Sequence, residues 1–170
     1  MKSAMGELCP VFNTNRMVHQ YYVEGYGPAL ERRALLEDDD CRRARDLARW
    51  KQRARACWDR VRIERVEVDL PEETTIGKTF QVRAWVQAPG LTVGELAVQM
   101  CLGRLRENRE IGDPEILPMA HCGPATGDEL LYEATICCRT SGTHGVTVRV
   151  LPYHPDLGHC HETGLITWAS

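Results

Sequence analysis

The sequence predicts an α+β protein in which N-terminal helices (1–60) precede an all-β, immunoglobulin-like antiparallel sandwich (61–170). Three observations carry this reading. Apolar residues recur at helical spacing through the first sixty or so positions, and from residue 62 the period drops to two. Gly- and Pro-containing turns then divide the remainder into short segments with no helical pattern between them.

In FNTNRMVHQYYVEGYGPA, Thr14 is the expected N-cap, and Met17, Val18, Tyr21 and Tyr22 form one apolar stripe. Gly25, Gly27 and Pro28 are expected to end this helix. Pro28 suits the first turn of the next, PALERRALLE, where its missing N–H has no intrahelical partner to lose. A third helix opens on Asp38, Asp39 and Asp40, whose carboxylates suit a helix N-terminus. Along it Leu47, Trp50, Ala54, Cys57 and Val61 step by three, four, three and four, which is a single apolar seam.

VRIERVEVDL begins the strand region. Val61 and Ile63 alternate, and Val66 and Val68 continue one residue out of phase, which predicts a bulged strand. Six further candidates follow: TFQVRAWVQA, ELAVQMCLG, a short stretch around EILPMA, ELLYEATICC, GVTVRVLP and LITWA. The stretches IGK, APG, IGDP, CGPATGD and SGTHG read as the turns between them. Seven short strands without intervening helices suggest the sandwich; no Cys pair brackets a strand Trp as in an antibody domain.

Length allows one domain with a helical extension. Apolar residues at 43% and charged residues at 26% are ordinary for a globular chain with a core. The N-terminal stretch has no apolar run or small-residue cleavage site of secretory type, and no segment is long and apolar enough for a membrane helix, so a cytoplasmic protein is expected. In that compartment the eight cysteines are expected as free thiols. A net charge of -3 gives no global reason to expect nucleic acid or an anionic membrane as a partner.

Three groups of residues invite a chemical reading. His159, Cys160 and His161, with His121, Cys122, Cys137 and Cys138, are ligand types that zinc prefers. They lack the C-x2–4-C spacing of structural zinc sites, and adjacent strand residues such as Cys137 and Cys138 point to opposite faces. They read instead as buried thiols and surface imidazoles, and no metal ligand is assigned. Arg42, Arg43, Arg45, Arg49, Lys51, Arg53, Arg55 and Arg60 make a basic helix that could meet phosphates or an acidic protein surface. Without interleaved aromatic platforms it reads as a solvated or protein-facing helix, not a nucleic-acid site. Trp85 and Tyr153, with Tyr132 and Trp168, are candidate sugar contacts; alternation puts Trp85 on the face opposite Val82, Ala84 and Val86, where it is either core or platform. No phosphate-binding glycine loop, nucleophile elbow or paired-carboxylate motif is found, so no catalytic residue is assigned.

Both ends of the chain carry a family likeness. MKSAMGELCPVFNTNRMVHQYYVEGYGPA resembles the final helical segment of α-glucan (glycogen) phosphorylases, and GVTVRVLPYHPDL and ETGLITWA resemble the C-terminus of their bacterial and archaeal branch. WKQRARACW extends the likeness, in the same order, across essentially the whole chain. Gly27 departs from it, standing where a bulkier residue is expected before Pro28. The resemblance implies a piece of a longer enzyme that cleaves α-1,4-glucans with inorganic phosphate to give glucose 1-phosphate. Its pyridoxal phosphate would be held by a lysine in a Ser-Gly-x-Lys context, and Lys2, Lys51 and Lys78 lack those neighbours. No catalytic or cofactor-binding residue is therefore carried over, and Met1 becomes an internal methionine.

The function expected is that of a non-catalytic C-terminal portion of such a phosphorylase, with helices docking on the catalytic core and a role in structure or assembly. The alternative is a stand-alone glucan- or protein-binding β-sandwich module. A zinc-dependent protein built on His159, Cys160 and His161 is the weakest of the three. Loss of cover over the stripe of Met17, Tyr21 and Tyr22 and over the seam of Leu47, Trp50 and Ala54 would lead the isolated chain to self-associate.

Overall fold

A computed structural model describes residues 9, 11–69, 75–107, 110–124 and 129–170. The chain divides into two compact units, Met1–Ala48 and Arg49–Ser170. Helix α2 contributes to both.

In the first unit α1 (Thr14–Tyr21) is capped by Asn13 and not by Thr14. Asn13 has the extended backbone of an N-cap, and its side chain accepts from the Arg16 N–H at 2.7 Å. Gly25, Gly27 and Pro28 do not end the helix as expected. A π-helical turn (Tyr22–Tyr26) carries it into α2 (Gly27–Trp58). The Gly27 N–H bonds to the Tyr22 carbonyl five residues back, and a Cβ at residue 27 would lie 3.0 Å from that oxygen. A glycine where a bulkier residue was expected thus admits the wide turn, and Pro28 follows within the first turn of α2, where an N–H is dispensable.

The interruption falls at the aspartates, where the sequence places the start of a third helix. Asp38 is extended, and Asp39, Asp40 and Cys41 take positive φ of 51°, 53° and 58° before helical geometry resumes. Asp is among the few residues that visit this region. Arg42 and Arg45 lie 3.3 and 2.8 Å from the Asp39 and Asp40 carboxylates. No residue of α1 is buried; the expected stripe of Met17, Val18, Tyr21 and Tyr22 is about half exposed throughout.

The second unit holds the last turns of α2 and two four-stranded antiparallel sheets. The sheet orders are β1-β2-β6-β5 and β4-β3-β7-β8. Their strands are β1 (Arg62–Val68), β2 (Thr79–Gln87), β3 (Leu96–Leu105), β4 (Ile111–Pro118), β5 (Ala120–Pro124), β6 (Glu129–Cys137), β7 (His144–Pro152) and β8 (Thr167–Trp168). The phase shift read in β1 is a register shift between Ile63 and Arg65 against β2.

Two expectations fail in the middle of the chain. IGDP, read as a turn, lies inside β4, and EILPMA is divided between β4 and the approach to a separate strand, β5. β4 lies at a sheet edge, where Pro114 costs no ladder bond on its free side, and the register slips against β3 between Leu102 and Arg104. Met119, buried, links the strands where the chain leaves one sheet for the other, its N–H bonded to the Val98 carbonyl at 2.9 Å. At the end of the chain LITWA shrinks to the two residues of β8.

Alternation supplies the core. Val82, Ala84 and Val86 of β2 pair with Ala134, Tyr132 and Leu130 of β6, while Val98 and Met100 of β3 pair with Val150 and Val148 of β7. Val82, Ala84, Val86, Met100, Val148 and Val150 are fully buried. Each large aliphatic side chain so buried contributes about 1.5–3 kcal/mol of transfer free energy.

Candidate functional site

The most elaborated polar region of the second unit is the seat on which the last turns of α2 rest. The helical seam decides which side chains reach it. Trp50, Ala54, Cys57, Trp58 and Val61 are buried, Ala54 completely. Gly90 lies beneath Cys57. Its φ of +87° suits glycine alone, and a Cβ there would come within 2.9 Å of the Cys57 sulfur.

Polar contacts surround this apolar contact. The Trp50 ring lies 5.0 Å from that of His154, tilted by 43°. Lys51 Nζ donates to Glu162 Oε1 at 2.5 Å, and Glu162 Oε2 accepts the Gly158 N–H at 2.6 Å. Arg53 pairs with Glu95. The Thr167 hydroxyl donates to the Val61 carbonyl at 3.5 Å. His154 Nδ1 accepts the Asp156 N–H at 3.2 Å, so in the neutral ring the proton sits on Nε2.

Glu95 belongs to a capping box. Its carboxylate accepts from the Thr92 N–H and hydroxyl, each at 2.9 Å, while its backbone carbonyl accepts from Tyr153 N at 2.7 Å. Burial pushes its pKa upward. The Thr92 hydrogen bonds, the Arg53 charge and the neighbouring Trp50 indole outweigh that and hold it below the ordinary carboxylate value. The loop from Tyr153 to Ile166 thus joins helix to strands through the side chains of His154 and Glu162.

The residues singled out by chemistry fall elsewhere. Trp85 is 7% exposed, its ring covered by the Arg65 guanidinium 3.7 Å from the centroid, so it offers no stacking face to solvent. Tyr153, just beyond β7 in the other sheet, is 50% exposed. His159 and His161 are exposed, and their carbonyls close turns by accepting from Glu162 N and Gly164 N. Cys122 is on β5, where its thiol donates to Glu133 at 3.5 Å, and Cys137 ends β6. Among the described residues no group of three or more His, Cys, Asp or Glu side chains is placed to hold a metal ion. Every described cysteine is a free thiol.

As for pyridoxal phosphate, Lys51 is committed to Glu162 and Lys78 lies in an exposed turn; neither fits an aldehyde-binding lysine, and Lys2 lies outside the described residues. No helix of the described residues is long and apolar enough to cross a membrane.

Sequence reasoning missed Glu95, His154 and Glu162 as partners of the helix. Only Glu95 carried a local signal, the Thr92-x-x-Glu95 spacing of a capping box.

Comparison with known proteins places the chain in a family. Residues 58–170 match the family described as the glycogen phosphorylase C-terminal domain. The chain is 33% identical over 172 aligned positions to the glycogen phosphorylase of Mycobacterium bovis, and 30% identical over 171 to the maltodextrin phosphorylase of Thermococcus litoralis. In each case 99% of this chain is covered, but it spans about a fifth of the relative's length, 20%. The chain belongs to the glycogen phosphorylase C-terminal domain family.

Proposed function

We propose that this chain is the non-catalytic C-terminal portion of an α-glucan (glycogen) phosphorylase, with a structural or assembly role in the parent enzyme. The observation that carries the proposal is the family match over residues 58–170, within an alignment that covers 99% of the chain. The parent would be a cytoplasmic glycosyltransferase that cleaves α-1,4-glucans with phosphate to give glucose 1-phosphate. Its pyridoxal phosphate would bind outside this chain.

In this reading the helical segment 1–60 docks on the catalytic core and 61–170 is an immunoglobulin-like sandwich. The exposed stripe of Met17, Val18, Tyr21 and Tyr22 supports docking, because half-exposed aromatic and aliphatic side chains in a row favour a cover. In the isolated chain the same stripe drives self-association. The strand order β1-β2-β6-β5 in one sheet and β3-β7-β8 within the other supports the immunoglobulin-like assignment.

Two measurements test the proposal. An immunoblot of the source cell against the two-sheet unit is expected to show a band far heavier than 19.2 kDa. The isolated chain is expected to release no glucose 1-phosphate from maltooligosaccharide and phosphate. A native band at 19.2 kDa, or phosphorolysis by the chain alone, overturns it.

A glucan-binding module is the second reading, favoured by the exposed rings of Tyr153 and Trp168. It requires maltooligosaccharide binding that Tyr153→Ala abolishes; unchanged binding in that variant ends it.

A further inference from the structure

The two ends of the sheet pair are built differently. At one, the last turns of α2 contact the β2–β3 and β7–β8 connections through Arg53, Lys51 and Trp50. At the other, where β2, β4 and β7 begin and β3 and β6 end, a cleft of about 840 Å³ opens. That is room for a small organic molecule.

The cleft lining has two chemistries. Ile76, Phe80, Leu102, Ile136 and Val146 are apolar; Ile76 is 64% exposed, Phe80, Leu102 and Val146 are partly exposed, and Ile136 is buried. Arg104, Arg106 and Arg139 are the basic component. Their engagements are light. Arg104 donates to the Ser141 carbonyl at 3.2 Å; Arg106 is 3.7 Å from the exposed Asp113 carboxylate, and Arg139 is 3.9 Å from Glu115. A guanidinium has five N–H donors, so each retains donors for a ligand, and among the residues lining the cleft the carboxylates of Asp113 and Glu115 stand against three arginines.

The scaffold fixes this arrangement locally. His144 Nδ1 lies 2.9 Å from the Gly142 carbonyl and its Nε2 2.9 Å from the Thr140 hydroxyl, bracing the β6–β7 connection that carries Arg139. The carbonyl can only accept, so in the neutral ring Nδ1 holds the proton and Nε2 accepts from Thr140. Arg106 folds over Gly112, where an added Cβ would meet its Nε at 2.6 Å. Cys137 and Cys138 line the same cleft as free thiols.

We propose that this cleft binds an amphipathic organic anion, a carboxylate carried on an apolar chain or ring. The carboxylate is held among Arg104, Arg106 and Arg139, and the apolar part covers Ile76, Phe80 and Leu102. Guanidinium and carboxylate match in geometry, and an inorganic anion would leave the apolar lining in water. The inference stands on the cleft alone and does not depend on the phosphorylase reading.

Dodecanoate is the probe, titrated into the full 170-residue chain by calorimetry, with alkylation of individual cysteines followed by mass spectrometry. Saturable 1:1 binding is expected, with slower alkylation of Cys137 and Cys138 and unchanged alkylation of Cys122, which does not line the cleft. The paired substitution Arg104→Gln and Arg139→Gln is expected to weaken binding about tenfold or more, since each removes charge-assisted hydrogen bonds. Ile76→Asp, at an exposed position that leaves folding intact, is expected to weaken it as well. Gly112→Ala, which displaces Arg106, gives a smaller loss. Tyr21→Ser with Tyr22→Ser controls for binding to the exposed helix and is expected to leave the affinity unchanged. No binding, binding insensitive to the arginine pair, or binding without protection of Cys137 and Cys138 overturns the proposal.

Discussion

Lys51 and Glu162 are 111 residues apart in sequence and meet at 2.5 Å, with side chains only 26% and 20% exposed. One is on the last turns of α2; the other is in the loop that precedes β8. The pair ties helix to strands at a point where neither element's own pattern announces the other. Its partial burial strengthens the attraction relative to an exposed pair, and the second Glu162 oxygen is used by Gly158.

Glu162→Ala is therefore expected to lower stability by about 1–3 kcal/mol, because it strands a half-buried ammonium and frees the Gly158 N–H together. Chemical denaturation of wild type and variant measures this. Glu162→Gln keeps the size and an acceptor and is expected to cost less than Glu162→Ala; equal losses would show that charge and hydrogen bonding are not what the loop contributes.

Trp50→Ala is expected to cost about 3–5 kcal/mol, the range for deleting a buried aromatic side chain. At Ala54 the opposite change is informative. It is fully buried, so Ala54→Leu overpacks the contact at about 1–3 kcal/mol. If Ala54→Leu were neutral by thermal unfolding, the seam would not be in contact as described.

The pH dependence follows from Glu95. Its folded pKa lies below the ordinary value, so its contribution is complete above the unfolded value and is lost as pH falls through the folded one. The stability difference between wild type and Glu95→Gln is expected to be constant near neutrality and to shrink on acidification through that window. Since the Arg53 side chain is 55% exposed, part of the difference is also expected to fall with added salt.

Tyr132 provides a test in the alkaline range. Burial pushes its phenol up to about 12, and among the described residues its hydroxyl has no hydrogen-bond partner, though the His121 ring packs against the ring at 5.4 Å. Removing an unpaired buried hydroxyl relieves its desolvation cost. Tyr132→Phe is expected to be neutral or stabilising by about 1 kcal/mol. The ultraviolet titration of the wild type should contain one tyrosine that ionises later than the exposed ones and that is absent from the variant.

By itself the sequence determined the features set by local periodicity. The seam from Leu47 to Val61 is buried along its length, and the bulge in β1 falls where the alternation slips. A side chain's face follows from its position along one strand or helix, so the pattern needs no knowledge of what lies opposite. The family was likewise legible, in short stretches whose order is retained across the chain.

Tertiary structure decided the rest. Gly27 and Pro28 look like a helix end until a wide turn finds an acceptor in the Tyr22 carbonyl, and Pro114 looks like a turn until β4 takes a sheet edge. Which sheet receives β5, what covers Trp85, and which carboxylates meet Lys51 and Arg53 depend on residues tens of positions away. Periodicity fixes which face is apolar, but contacts between distant segments are chosen by the packing that buries those faces together, and that choice exists only once the chain has folded.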